Sequence, residues 1–66
     1  MKIKVNGEER YISENITVER LFQELNLSSK GKIVVLNREV VHQNDWDTQE
    51  LSPEDDVEIL NMVGGG

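Results

Sequence analysis

Apolar Met1, Ile3 and Val5 alternate with polar Lys2, Lys4 and Asn6, the period-two pattern of a strand with one buried face. Asn6-Gly7 follows directly. That dipeptide predicts a two-residue hairpin turn, because both central positions of a type I′ turn need positive φ. The return segment Glu8–Ser13 is expected to pair back as a second strand, with Ile12 entering the core and Tyr11 partly covered on the other face.

The period then changes. Val18, Leu21, Phe22 and Leu25 fall at i, i+3, i+4 and i+7, an apolar stripe about two helical turns long. Thr17 stands where a helix N-cap belongs, and Glu19 in the first turn complements the helix dipole. Glu19, Arg20, Gln23 and Glu24 take the wet side. Asn26 or the Ser28-Ser29-Lys30-Gly31 run is expected to end the helix, with Leu27 folding back as its hydrophobic closure.

In the second half, Ile33-Val34-Val35-Leu36 is a β-branched run suited to a central strand. Asn37-Arg38 reads as a turn and Glu39–His42 as the returning strand. Residues 43–50 are too polar for a strand, and Trp46 and Leu51 are the groups able to pin that loop to the body. Pro53–Asp56 forms a turn. Val57–Val63 reads as a last strand that runs into Gly64-Gly65-Gly66, with Val57 and Ile59 on the core side.

Two hairpins around one helix, followed by a lone strand, predict an α+β roll: a mixed sheet of about five strands with one main helix on its apolar face. This order resembles the β-grasp, the ubiquitin-like arrangement, and the resemblance implies that first and last strands lie side by side and parallel. A ferredoxin-like split would need two helices, and the pattern shows one. The body is expected to span residues 1–63, with residues 64–66 forming a flexible glycine tail.

Length and charge narrow the function. Sixty-six residues make one small domain, which buries only about 60% of the surface its unfolded chain exposes. The chain has no cysteine. Disulfides, thiolate metal sites and a cysteine nucleophile are therefore excluded, and the composition suits a reducing cytoplasm. A formal charge of −6 opposes binding to nucleic acid or to an anionic membrane. It suits a basic patch on a protein partner, and it serves solubility equally well. No basic-then-apolar leader and no long apolar run is visible.

Catalysis within the chain finds little material. His42 is the single histidine, and a lone His at a strand end is more often a surface group than a base. Asp45 and Asp47, like Glu54, Asp55 and Asp56, lack the glycine and ligand spacing of a calcium loop. No glycine-rich turn opens a helix, so a bound nucleotide or other cofactor is not expected. What is left is the end of the chain. A terminus of bare glycines fits a channel too narrow for a Cβ. A carboxylate is a poor electrophile, but transfer of AMP from ATP makes it a mixed anhydride. A sulfur donor can then displace AMP and leave a thiocarboxylate, or an amine can attack and make the chain a conjugated tag. In both cases the chain is the substrate and a partner enzyme uses the ATP. A frayed end of no consequence is the plain alternative.

Several segments together resemble ThiS, the sulfur-carrier family of thiamin biosynthesis. They are the opening strand into Val5-Asn6-Gly7, Thr17-Val18 with Leu21-Phe22, Val35-Leu36-Asn37 with Glu39-Val40-Val41, and Trp46 in the long loop. The strongest is Asp56-Val57-Glu58-Ile59 leading to Val63-Gly64-Gly65-Gly66. The resemblance covers essentially the whole chain. Two turn positions depart from the family's pattern: Asp55 stands where Gly is usual before Asp56, and Arg38 where Gly is common after Asn37. The resemblance implies a chain that is not itself an enzyme. Its Gly66 is adenylated by a ThiF-like enzyme, converted to a thiocarboxylate with sulfur from a donor protein, and presented to a ThiG-like thiazole synthase. It further implies that Gly65 and Gly64 thread the partner's channel, that Val63 and Met62 mark the exit, and that Leu60 is a docking candidate. The small subunit of molybdopterin synthase, a ubiquitin-like modifier of protein lysines, and an interaction domain with an inert tail are the competing readings.

Overall fold

The computed structural model describes residues 1–62. Five strands form one sheet: β1 (Lys2–Val5), β2 (Glu8–Tyr11), β3 (Lys32–Leu36), β4 (Glu39–Val41) and β5 (Asp56–Asn61). One helix, α1 (Val18–Glu24), and a short 3-10 turn at Gln43–Asp45 complete the described residues. The spatial order is β2-β1-β5-β3-β4. β1 and β5 run parallel, with Lys4 beside Asp56 and Val5 beside Val57, and the other pairings are antiparallel. This is the β-grasp arrangement.

Turn chemistry accounts for much of the chain's path. Asn6 and Gly7 have φ of 51° and 83°, and Asn37 and Arg38 have 49° and 71°, so both hairpins close with two consecutive left-handed residues. Asn tolerates that region, whereas Arg does so only at a steric cost. Of the two departures from the family pattern, Arg38 therefore carries strain. Asp55 does not, because the left-handed residue of its turn is Glu54, with φ 70°. The Asp55 carboxylate instead ties the turn together, accepting from the Ser52 amide at 2.7 Å and from Asn37 Nδ2 at 3.1 Å.

Thr17 caps α1 as expected, its Oγ1 accepting from the Arg20 amide at 3.2 Å. The helix is capped at Leu25 and closed by Asn26 after it, which adopts a φ of 57°. There the Leu27 amide donates to Phe22 O and the Asn26 amide to Gln23 O, the paired bonds of a Schellman closure. The inner face of the sheet presents Ile3, Val5, Val34, Val57 and Ile59 to Val18, Leu21 and Phe22 of the helix. Ile12, Ile16, Trp46 and Leu51 fill the ends of this core. Trp46 is 4% exposed, stacks on Phe22 with ring centroids 5.1 Å apart, and donates from Nε1 to Val41 O at 2.8 Å. The polar loop is pinned where the sequence placed its anchor.

The structure corrects several expectations. β2 stops at Tyr11 rather than Ser13, because the Ser13 amide leaves the ladder to donate to the Glu24 carboxylate, at 3.1 Å to Oε2. Tyr11 is 81% exposed rather than partly covered, since it lies on an edge strand with its side chain on the outer face beside Lys2. β3 is interior and paired on both edges, as expected of it, while the strand at the very middle is β5, which pairs with both β1 and β3. Leu27 does not seal the helix end and stays exposed; backbone bonds make that closure. His42 leaves β4 and precedes the 3-10 turn. The last strand ends at Asn61, and Met62 is held after it by its amide donating to Gly31 O at 2.7 Å. The readings that fall on Val63–Gly66 lie outside the described residues.

Candidate functional site

The candidate site named from the sequence is the approach to Gly64-Gly65-Gly66, and the described element that bears on it is β5. This strand is buried through Val57 and Ile59 on the helix side, while Asp56, Glu58 and Leu60 alternate onto the outer face. Register with β3 puts Ile33 beside Leu60 and Val35 beside Glu58, and β4 adds Val40 beside Val35. Leu60 (44% exposed) and Val40 (57% exposed) thus belong to one apolar area of the outer face, bordered by the carboxylates of Asp56 and Glu58. Met62 (59% exposed), two residues after Leu60, shares that strand parity. Of the residues expected to matter, Leu60 and Met62 come together here. Val40, Ile33 and Val35 share this face through register between strands, which proximity in sequence does not express.

Asn6 is the other participant that the sequence concealed. Read as a turn residue, it also reaches across to the last strand: Nδ2 donates to Ile59 O at 3.3 Å, and Oδ1 accepts from the Ile59 amide at 2.8 Å. β1 ends at Val5, so this amide group substitutes for the next rung of the parallel ladder. The Asn6-Gly7 pair offered no signal for that, since partner and clamp are 53 residues apart.

Two titratable groups are moved from their usual range, and both lie outside β5. Glu24, on the far side of the helix, is held below the usual glutamate range because the Ser13 hydroxyl and then the Ser13 amide donate to its carboxylate. Lys2 is raised by Glu54 and then Glu9, which approach its ammonium at 3.7 and 3.5 Å on the surface. His42 is exposed. Among the described residues no group of three or more His, Cys, Asp or Glu is disposed to hold a metal ion. None of their helices is long and apolar enough to cross a membrane.

Comparison with known proteins bears on this geometry. The family model of the ThiS family matches residues 3–66. The chain belongs to the ThiS family. The crystal structure of thiamine biosynthesis protein ThiS from Geobacter metallireducens superposes with a TM-score of 0.89 at 30% identity, covering 100% of both chains. Thiazole synthase of Paramagnetospirillum magneticum is 38% identical over 66 residues, and that of Magnetococcus marinus 30% identical over 66. In each case the match takes in the whole of this chain but only 20% of the relative, so this ThiS-family chain spans about one-fifth of the length of those proteins. The ThiS family comprises ubiquitin-like sulfur carriers acting in thiamin biosynthesis, and both the fold and the matched span of this chain are of that kind.

Proposed function

We propose that this chain carries sulfur as a thiocarboxylate on Gly66 and delivers it for thiazole formation in thiamin biosynthesis. The observation that carries the reading is the placement of β5. The strand that leads to Val63-Gly64-Gly65-Gly66 is the central strand of the sheet, paired to β3 as far as Met62 and Gly31 and clamped by Asn6 at Ile59. A terminus carried on the best-held strand starts from a defined point, and a defined start lowers the entropic cost of placing a reacting carboxylate.

In this mechanism the chain supplies the acyl group and no catalytic side chain. A Gly66 carboxylate oxygen attacks the α-phosphorus of ATP on a ThiF-like enzyme, and pyrophosphate leaves. A sulfur nucleophile then adds to the acyl carbon and AMP departs with the electron pair, leaving the thiocarboxylate. Gly65 and Gly64 thread the enzyme's channel, Val63 and Met62 sit at its mouth, and Leu60 contributes to docking. The acceptor is a ThiG-like thiazole synthase. Supporting this partner, proteins bearing that name contain a segment similar to this whole chain.

The test is intact-mass measurement after incubation with ATP, hydrosulfide and the ThiF-like enzyme of the same genome. The expected product is the chain with one sulfur in place of one oxygen, absent when Gly65 and Gly66 are deleted. No mass change in the presence of an active enzyme would overturn the reading, and high-mass conjugates in its place would favour the modifier.

A further inference from the structure

The backbone of β5 is unequally satisfied on its two sides. Toward β3 the paired rungs are Asp56 with Asn37, Glu58 with Val35, Leu60 with Ile33 and Met62 with Gly31, and the terminal rungs measure 2.8 Å (Asn37 N to Asp56 O) and 2.7 Å (Met62 N to Gly31 O). Alternation along a strand then directs the N–H and C=O of Val57, Ile59 and Asn61 to the opposite side, toward β1. Val57 O accepts from the Asn6 amide at 2.9 Å, and Ile59 is satisfied at both groups by the Asn6 side chain. β1 has by then turned away through Gly7. Asn61 is the next residue on that side, and among the described residues its N–H and C=O have no partner.

Beside this opening lies a groove of about 470 Å³ lined by Asn6, Gly7, Asp56, Glu58 and Leu60. It runs from the Asn6-Gly7 turn along β5 to Leu60, the residue before Asn61. Its floor is the outer face of β5, with two carboxylates and one exposed leucine. An unpaired strand edge is a template for another extended segment.

We propose that the enzyme that activates the terminus adds an extended segment of its own to the β5 edge at Asn61, pairing with the Asn61 N–H and C=O, with a basic side chain over Asp56 and Glu58 in the groove. The proposal rests on the carrier reading above and adds the means by which the tail's root is grasped. Asn6 thereby serves as a stop: by completing Ile59 internally, it leaves Asn61 as the first rung open to a partner. The pairing takes hold of backbone, so it is indifferent to side chains and fits a tail that offers almost none.

Amide hydrogen exchange on ¹⁵N-labelled protein, followed by NMR with and without the ThiF-like enzyme, tests it. In the free chain the Asn61 amide exchanges fast and the Met62 amide slowly; on complex formation Asn61 becomes protected. Asn61→Pro removes the donor at a position where the fold makes no use of it. It should keep the wild-type Tm and raise the KM for the carrier by up to roughly tenfold, the size of effect expected from losing one net backbone bond. An Asn61 amide that stays unprotected in a complex that adenylates normally overturns the strand pairing, whether or not the proline variant folds. A wild-type chain that is never adenylated fails the carrier reading instead, so the two failures are distinguishable.

Discussion

Trp46 offers the most demanding test of how this small fold is held. The indole is 4% exposed, stacked on Phe22, and bonded through Nε1 to Val41 O at 2.8 Å, while its own carbonyl accepts from the Glu19 amide at 3.0 Å. It thus joins the polar loop, the first turn of the helix and the end of β4. Truncating a buried aromatic to alanine costs about 3–5 kcal/mol. A domain of this length has a total stability of roughly 3–10 kcal/mol at 0.05–0.15 kcal/mol per residue. Trp46→Ala should therefore leave the chain largely unfolded at room temperature. Trp46→Phe keeps a ring against Phe22 but loses the bond to Val41 O and part of the ring volume, for a cost of about 1–2 kcal/mol. With a urea m-value near 1 kcal/mol/M for so small a protein, that corresponds to a midpoint lowered by roughly 1–2 M. Far-UV circular dichroism is the suitable probe, since the variants remove the only tryptophan. A Trp46→Ala protein with the wild-type midpoint would refute the anchor. If it folded fully but could not be adenylated, Trp46 would be a docking residue.

Four further outcomes follow from particular contacts. Arg38→Gly relieves a left-handed arginine at φ 71° and should stabilise the fold by about 0.5–1 kcal/mol net of the added chain entropy; a lower urea midpoint would contradict this. Asn6→Gly preserves the turn but leaves the Ile59 N–H and C=O without their partners, at a cost of about 1–3 kcal/mol, with the Ile59 amide losing exchange protection first. Glu24 is depressed by Ser13, so its contribution is complete above the usual glutamate range and disappears as pH falls through its lowered folded-state pKa. Ser13→Ala should accordingly be less stable than wild type at neutral pH, with the two converging in acid; a gap independent of pH would sink the assignment. Gly65→Ala should keep the wild-type Tm yet slow ATP–pyrophosphate exchange on the order of 100-fold by displacing the reacting carboxylate, with Gly64→Ala milder; equal rates for both variants and wild type would show that no narrow channel reads the glycines.

Local chemistry was enough to place most of the elements. The alternation before Asn6-Gly7, the capped stripe from Thr17 to Leu25, and the Asn37-Arg38 turn each act over a few residues, so the sequence alone determined the two hairpins, the helix and the identity of Trp46 as an anchor. It also carried the glycine ending that marks the family. What only the tertiary structure decided are relations between distant segments. β-branched residues announce a strand but not its neighbours: Ile33–Leu36 is interior as its composition suggested, but that β5 lies between β1 and β3 was decided by pairing. Tyr11 and Leu27 are apolar enough to be buried, yet an edge strand and a backbone-closed helix end left them outside. The clamp from Asn6 to Ile59 and the opening at Asn61 depend on where a parallel ladder runs out. That point is a matter of register, which no residue expresses by itself.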